Sequence, residues 1–276
     1  MRPPSSPSDG EQGRAPHFVQ SLERGLAVIR AFDEHNPELT LSDVARSTGL
    51  TRAAARRFLL TLADLGYMRT DGRWFTLSPR ILDLGYAYLS SLSLTEVAEP
   101  HLERLVAEVH ESSSVSVLDG EDIVYVARVP TGRIMAVSIN VGTRFPAYAT
   151  SMGRVLLSWL PEEELEAYLE RVELLALSSR TLTSVKKLRV ELATVRSQGW
   201  ALVDQELEEG LRSVAAPIRD RHGRTIAAVN LSAHASRMSI EEGRRRLVPA
   251  LLATAERIEA DLRVAQAARP RRSSGG

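Results

Sequence analysis

An α+β fold in two domains is what the sequence predicts, and three observations predict it. Three short segments with helical apolar stripes follow one another between residues 19 and 65 and are closed by a strand-turn-strand pattern. Beyond residue 94, strand-like runs are interleaved with helices in groups rather than in strict alternation, which favours an antiparallel sheet with helices packed about it. The length of 276 residues also exceeds the roughly 100–200 residues of one ordinary domain.

Each element has its own justification. Residues 1–17 carry four prolines with Ser and Gly and almost no large apolar side chain, so they read as a disordered arm. Val19, Leu22, Leu26, Ile29 and Phe32 recur at helical spacing and give a first helix that ends before Asn36 and Pro37. Thr40 with Asp43 three positions later marks the start of a second helix over 41–47, stopped at Gly49. Thr51 caps a third helix with Ala55, Phe58, Leu62 and Leu65 on one stripe. Residues 67–77 alternate about Asp71 and Gly72, a dipeptide that favours a type I′ hairpin. Helix, helix, helix and hairpin over 18–79 make a winged helix-turn-helix, and the apolar stripe over 80–93 predicts a linker helix.

The second domain is expected over 94–266. A helix over 94–110 precedes strands at 115–118, 123–129 and 134–141. Helices at 151–160, 162–169 and 185–198 then lead to strands at 200–204, 214–219 and 225–232, and a long helix over 247–267 closes the chain. This order suggests a GAF-like or profilin-like α+β sensor domain. Residues 267–276, with Arg269, Arg271 and Arg272 before Ser and Gly, read as a disordered basic tail.

Composition narrows the function. Thirty-five basic residues balance thirty-five acidic ones, so any nucleic-acid site must be local. With no cysteine there is no disulfide framework, thiolate metal site or cysteine nucleophile. No run approaches the roughly 18 apolar residues of a membrane span, and Pro3, Pro4, Ser5 and Ser6 stand where a signal peptide needs an apolar core, so a cytoplasmic location is expected. Enzyme motifs are lacking: there is no GxSxG elbow, P-loop or GxGxxG, and the six histidines are scattered without ligand spacing. Neither a cofactor nor a metal site is expected.

The third helix carries the strongest functional signal. Arg52, Arg56 and Arg57 share its outward face with Ala53, behind the Thr51 cap, and no acid follows until Asp64. A helix that enters the major groove needs short side chains for close approach and Arg forks for phosphates or guanine edges. Arg69 and Arg73 flank the hairpin turn, where a wing meets the DNA backbone. The plainer alternatives are a solvated helix face and two exposed hairpin arginines. On the residues alone, three classes stay open: a ligand-responsive transcription factor, a metabolite-binding sensor module without sequence-specific DNA binding, and a structural DNA-bridging dimer.

Four strings carry a resemblance. LSDVARSTGLTRAAARRFLLTLADLGY (41–67), NVGTRFPAYATSMGRVLLSWL (140–160), GWALVDQELEEGLRSVAAPI (199–218) and GRTIAAVNLSA (223–233) resemble, in order, the winged helix and effector-binding domain of IclR-type bacterial transcription regulators. The likeness spans about residues 18–266, and the recognition helix and FPAYATSMGRVLL string are most similar to regulators of protocatechuate and β-ketoadipate catabolism. The resemblance implies a small-carboxylic-acid pocket formed by Ala147, Tyr148, Ala149, Ser151, Met152, Gly153, Asp204, Glu206, Leu211, Ser213, Asn230 and Ser232. Ser151 and Gly153 fall at a predicted helix N-terminus, which suits a carboxylate. Arg144 and Arg154 flank that segment and are candidates for a second carboxylate. A one-residue slip near Asp204 exchanges it with Val203 at the pocket. Met152 also reads as core, Ser151 as an N-cap, Asn230 and Ser232 as solvent-facing strand residues, and the acids at 204–209 as a solvated loop.

The expected assembly is a homodimer joined through the linker helix and winged-helix region on a palindromic double-stranded operator, with dimers pairing into tetramers. The expected function is a regulator of aromatic-acid catabolic genes whose effector is β-ketoadipate or protocatechuate. An IclR-type regulator of another small-acid pathway, such as glyoxylate or acetate, is the alternative.

Overall fold

The computed structural model describes residues 17–84, 93–131 and 139–268. Most of the expected arm, linker helix, 134–141 strand and basic tail therefore lies outside the described residues. The chain divides into two compact units, Met1–Tyr88 and Leu89–Gly276.

In the first unit, α1 (Gln20–Arg30) is followed by a short strand β1 (Glu38–Thr40), which periodicity does not reveal. Thr40 begins α2 (Leu41–Thr48) with a full capping box: its backbone N–H donates to Asp43 Oδ2 at 3.1 Å while its hydroxyl accepts from Asp43 N. The Thr40 hydroxyl also donates to Asp43 Oδ2 at 2.6 Å, and this bond, then the one from Thr40 N, with Arg46 nearby, holds the Asp43 carboxyl below its usual range. Gly49, at φ +68°, turns the chain into α3 (Arg52–Asp64), whose first turn is capped by Thr51 Oγ1 accepting from Ala54 N at 3.2 Å. The strands β2 (Met68–Thr70) and β3 (Trp74–Leu77) complete an antiparallel sheet in the order β1-β3-β2. Val28, Val44, Ala55, Leu59, Met68 and Phe75 form its core.

The hairpin differs from the expected type I′ turn. Asp71 Oδ1 accepts from the N–H groups of both Arg73 and Trp74, at 2.9 and 2.8 Å, and Gly72 alone has positive φ. The side chain thus closes a loop of four residues, 71–74, between the paired Thr70 and Phe75, where a type I′ turn needs two residues in the left-handed region.

The second unit is built on one antiparallel sheet in the order β6-β5-β4-β9-β8-β7. Its strands are β4 (Ser112–Asp119), β5 (Asp122–Val129), β6 (Arg144–Pro146), β7 (Ala201–Asp204), β8 (Leu211–Arg219) and β9 (Thr225–His234). The three-residue edge strand β6, which ends on Pro146, carries too little alternation to be read in advance. One face packs Val115, Val214, Val229 and Leu231 on α4 (Ser93–Val109) and the closing helix α8 (Val248–Ala268). The other packs Ile123, Ala215 and Ala228 on α5 (Ser151–Ser158), α6 (Glu162–Arg171) and α7 (Val185–Gln198). The two-residue period of a strand places Ser114 and Ser116 of β4, Ser213 of β8 and Asn230 and Ser232 of β9 on this second face. A polar strip therefore lies inside an otherwise apolar core. Among the described residues, no helix is long and apolar enough to cross a membrane, and no three His, Asp or Glu gather as a metal site.

The start of α5 depends on a close approach. A Cβ on Gly153 would lie 2.0 Å from the Ala147 carbonyl oxygen, so only glycine lets the helix rest on the turn Ala147–Ala149. Helix preference alone makes Gly→Ala stabilising by about 1 kcal/mol. Here Gly153→Ala is expected to destabilise by roughly 1–3 kcal/mol through overpacking. A lower urea midpoint is the expected reading, and an increase would show that the two segments are not in contact.

Candidate functional site

On α3, Ala55 and Leu59 face the core, and helical spacing turns Arg52, Ala53, Arg56 and Arg57 to solvent. The three arginines make no ion pair among the described residues. Thr51 is exposed at the helix start, its hydroxyl used by the cap. On the hairpin, Arg69 is exposed, and Arg73 lies over the Trp74 ring with 5.6 Å from guanidinium carbon to centroid. Arg80 contrasts with them: it donates to the Leu65 carbonyl at 2.9 Å and covers the Tyr67 ring, and so is spent on the end of α3. The result is a smooth cationic surface on one rigid helix, with two further cations on the wing.

In the second unit the structure brings Ala149, Ser151, Met152, Leu211, Ser213, Asn230 and Ser232 around one cavity, joined by Tyr125, Thr150, Val203 and Leu207. Ser151 donates to Ser213 Oγ at 2.9 Å, Asn230 Nδ2 donates to Ser232 Oγ at 3.0 Å, and Asn230 Oδ1 accepts from Ser114 N at 3.0 Å. Met152 is both wall and core, with Ser116 Oγ 3.2 Å from its sulfur. Burial pushes the Tyr125 phenol up to about 12, against the lowering effect of Arg128, so at neutral pH it keeps its proton. The cavity is small, about 10 Å³, or room for about one water molecule.

Seven candidates lie elsewhere. Thr150 rather than Ser151 caps α5, and its Oγ1 takes the Gly153 N–H at 3.0 Å, so Gly153 offers no free donor. Ser151 and Met152 fall in the first turn of α5, where backbone N–H groups have no partner within the helix. Ala147 is buried under Gly153, and the Tyr148 hydroxyl donates to the Leu175 carbonyl at 2.9 Å. Arg144 is an exposed edge-strand residue bound to Asp119 and Asp122, at 2.6 and 3.1 Å. Arg154 is 2% exposed: Nε donates to the Tyr148 carbonyl at 3.0 Å, and the terminal nitrogen meets Glu206 at 2.6 Å. Glu206 also accepts from Leu182 N at 2.9 Å. Asp204 faces Arg212 at 2.7 Å and Arg180 at 2.5 Å, and Val203 faces the cavity, because neighbours on a strand point to opposite faces.

The structure thus places the two candidate arginines in ion pairs, Arg144 with Asp119 and Asp122 and Arg154 with Glu206, and places Asp204 with Arg212 and Arg180. Sequence reasoning missed Tyr125, Thr150 and Leu207. Thr150 was legible as an N-cap three residues before Gly153, and Tyr125 as an inward position of an alternating strand, whereas Leu207 carries no local signal.

Comparison with known proteins agrees with this two-part layout. Residues 21–72 match the IclR helix-turn-helix domain model, and residues 86–260 match the model for the C-terminal domain of bacterial transcriptional regulator IclR. The chain is 46% identical to the Pca regulon regulatory protein of Pseudomonas putida, over 92% of this chain and 89% of that one. A solved structure from Rhodococcus sp. RHA1 is 61% identical, with TM-score 0.82, and covers 89% of this chain and 98% of its own. An IclR homolog from Microbacterium hydrocarbonoxydans, solved with 4-hydroxybenzoate, is 27% identical with TM-score 0.80, over 88% of this chain and 99% of that one.

The two acid–arginine arrangements differ in burial, which gives a test. Asp204→Ala leaves Arg212, itself 7% exposed, without its carboxylate and is expected to cost about 3–5 kcal/mol. Arg144→Ala breaks only exposed pairs and is expected to cost under about 1 kcal/mol. Urea denaturation of both variants checks this, and equal losses would contradict the assignment of Asp204 to the buried side.

Proposed function

The chain belongs to the IclR family of bacterial transcriptional regulators, and from that premise we propose that a small aromatic-pathway acid, bound in the second unit, modulates how the first unit holds its operator. It is a DNA-binding regulator and not an enzyme. In this reading α3 enters the major groove with Arg52, Ala53, Arg56 and Arg57 at the base edges and phosphates, Thr51 at its start, and Arg69 and Arg73 on the backbone beside it.

The observation that carries the ligand assignment is the lining itself. One carboxylate meets the first-turn N–H groups of Ser151 and Met152, beside the Ser151 and Ser213 hydroxyls and the positive end of α5. Met152, Val203, Leu207 and Leu211 supply apolar walls for a ring, and Asn230, Ser232 and Tyr125 supply polar partners for ring hydroxyls. A second carboxylate would need a cation, and Arg144 and Arg154 are both committed to acids. Protocatechuate therefore fits the described lining better than β-ketoadipate. The P. putida relative and the 4-hydroxybenzoate complex support an aromatic-acid pathway, and so control of its catabolic genes.

For assembly we propose a homodimer on a palindromic operator, with dimers pairing into tetramers. Val19, Leu22 and Leu26 of the α1 region expose 58, 62 and 44% of their surface along an apolar groove that includes Ala27 and Ala31, which a second copy's helix would cover.

Fluorescence anisotropy on the chain's own upstream DNA, at stated salt and with each acid, tests the regulator reading. An acid is expected to change operator affinity by about 1–3 kcal/mol, and DNA to change acid affinity by the same factor. Equal acid affinity with and without operator would falsify the coupling. Arg56→Ala is expected to cost about 1–3 kcal/mol of specific binding while acid affinity stays at wild type. Leu22→Glu is expected to yield monomers by analytical ultracentrifugation, and an intact dimer would move the interface elsewhere.

A further inference from the structure

The pocket as it stands admits about one water molecule, so an aromatic acid enters only if a wall yields. Tyr125, Val203, Ser213, Asn230 and Ser232 stand on strands, where movement breaks ladder hydrogen bonds. Ser151 and Met152 stand on α5, pinned on Ala147 by the absent side chain of Gly153. Leu207 differs, because it lies in the irregular connection between β7 and β8.

What holds that connection is its neighbour Glu206. Its carboxylate takes the guanidinium of Arg154 and the Leu182 N–H, at 2.6 and 2.9 Å. Its carbonyl accepts from Thr181 Oγ1 at 2.6 Å, and Ser178 Oγ donates to the Gln205 carbonyl at 2.7 Å. Arg154 sits one turn into α5, and its Nε holds the Tyr148 carbonyl next to Ala149 of the pocket wall. One buried ion pair thus ties the movable wall to the fixed one, and through Glu206 to the segment that joins α6 and α7.

Resting on the acid-binding reading above, we infer that Arg154 and Glu206 are positioning residues: together they hold the Leu207 wall closed on α5, and pocket filling moves Glu206 and with it residues 178–182. Neither touches the ligand. The pair sets how readily the pocket opens, and it hands occupancy to a segment on the outside of the unit.

The test is hydrogen exchange on the full-length protein with no ligand present, followed by stopped-flow binding of protocatechuate. Glu206→Gln keeps the shape and the acceptor for Leu182 but removes the charge. Amides of 205–211 and 178–182 are expected to exchange roughly tenfold faster while those of β9 are unchanged, and protocatechuate to associate and dissociate faster. If the single variant fails to fold, Arg154→Met with Glu206→Gln removes both charges and is expected to show the same local pattern. Unchanged exchange at 205–211, or equal acceleration in β9, overturns the inference, since the pair would then serve only general stability. A wild-type protein that binds neither protocatechuate nor β-ketoadipate removes the ligand assignment alone, and the exchange result still decides the role of the pair.

Discussion

A guanidinium buried to 2% exposure must find its counter-charge and hydrogen bonds inside the protein, and the way Arg154 finds them organises the second unit. Its partners come from separate stretches: the Tyr148 carbonyl from the turn before α5, Glu206 from the β7–β8 connection, and Glu191 of α7 at 3.8 Å. Three segments distant in sequence are thereby brought to one point beside the pocket. Leaving either charge alone would cost several kcal/mol, so the mouth of the pocket is held more firmly than its irregular backbone suggests. The same commitment takes Arg154 out of ligand recognition and leaves the described lining uncharged.

Polar groups elsewhere divide into those that are spent and those that are not. The strip of Ser114, Ser116, Ser213, Asn230 and Ser232 lies where an antiparallel sheet would ordinarily bury aliphatic residues. Part of it is satisfied internally, as with Asn230 and Ser114 N, which fixes the side chains in place. The first turn of α5 adds backbone N–H groups that have no partner within the helix. In the first unit, Arg80 is spent on the end of α3, whereas Arg52, Arg56 and Arg57 are exposed and carry no acid beside them. A regulator needs both kinds of group: spent ones to hold its shape, and unspent ones to meet DNA and effector.

Most of the first unit is legible from local chemistry. The Thr40 and Asp43 box, the Gly49 turn and the Thr51 cap act within three or four residues of themselves, so their spacing carries the message. The surface of α3 is legible for the same reason, since helical period alone turns Arg52, Arg56 and Arg57 outward once Ala55 and Leu59 face the core. The wing was legible in kind and not in detail. Asp71 closes its turn through two side-chain hydrogen bonds, and a dipeptide preference cannot express that choice.

In the second unit the sequence by itself determined the family, the order of elements and the small polar residues on the strands, because strand period places Ser213, Asn230 and Ser232 on one face once the register is known. Only the tertiary structure decided which charged residues reach the pocket. Asp204 and Glu206 stand beside pocket residues in the chain, Arg154 and Arg144 stand two and five positions from them, and all four turn to partners between 22 and 52 positions away or across a strand pair. Charge pairing acts through space and burial multiplies its strength, so the destination of such a side chain is set by what the fold brings near it, and sequence neighbours carry little of that information.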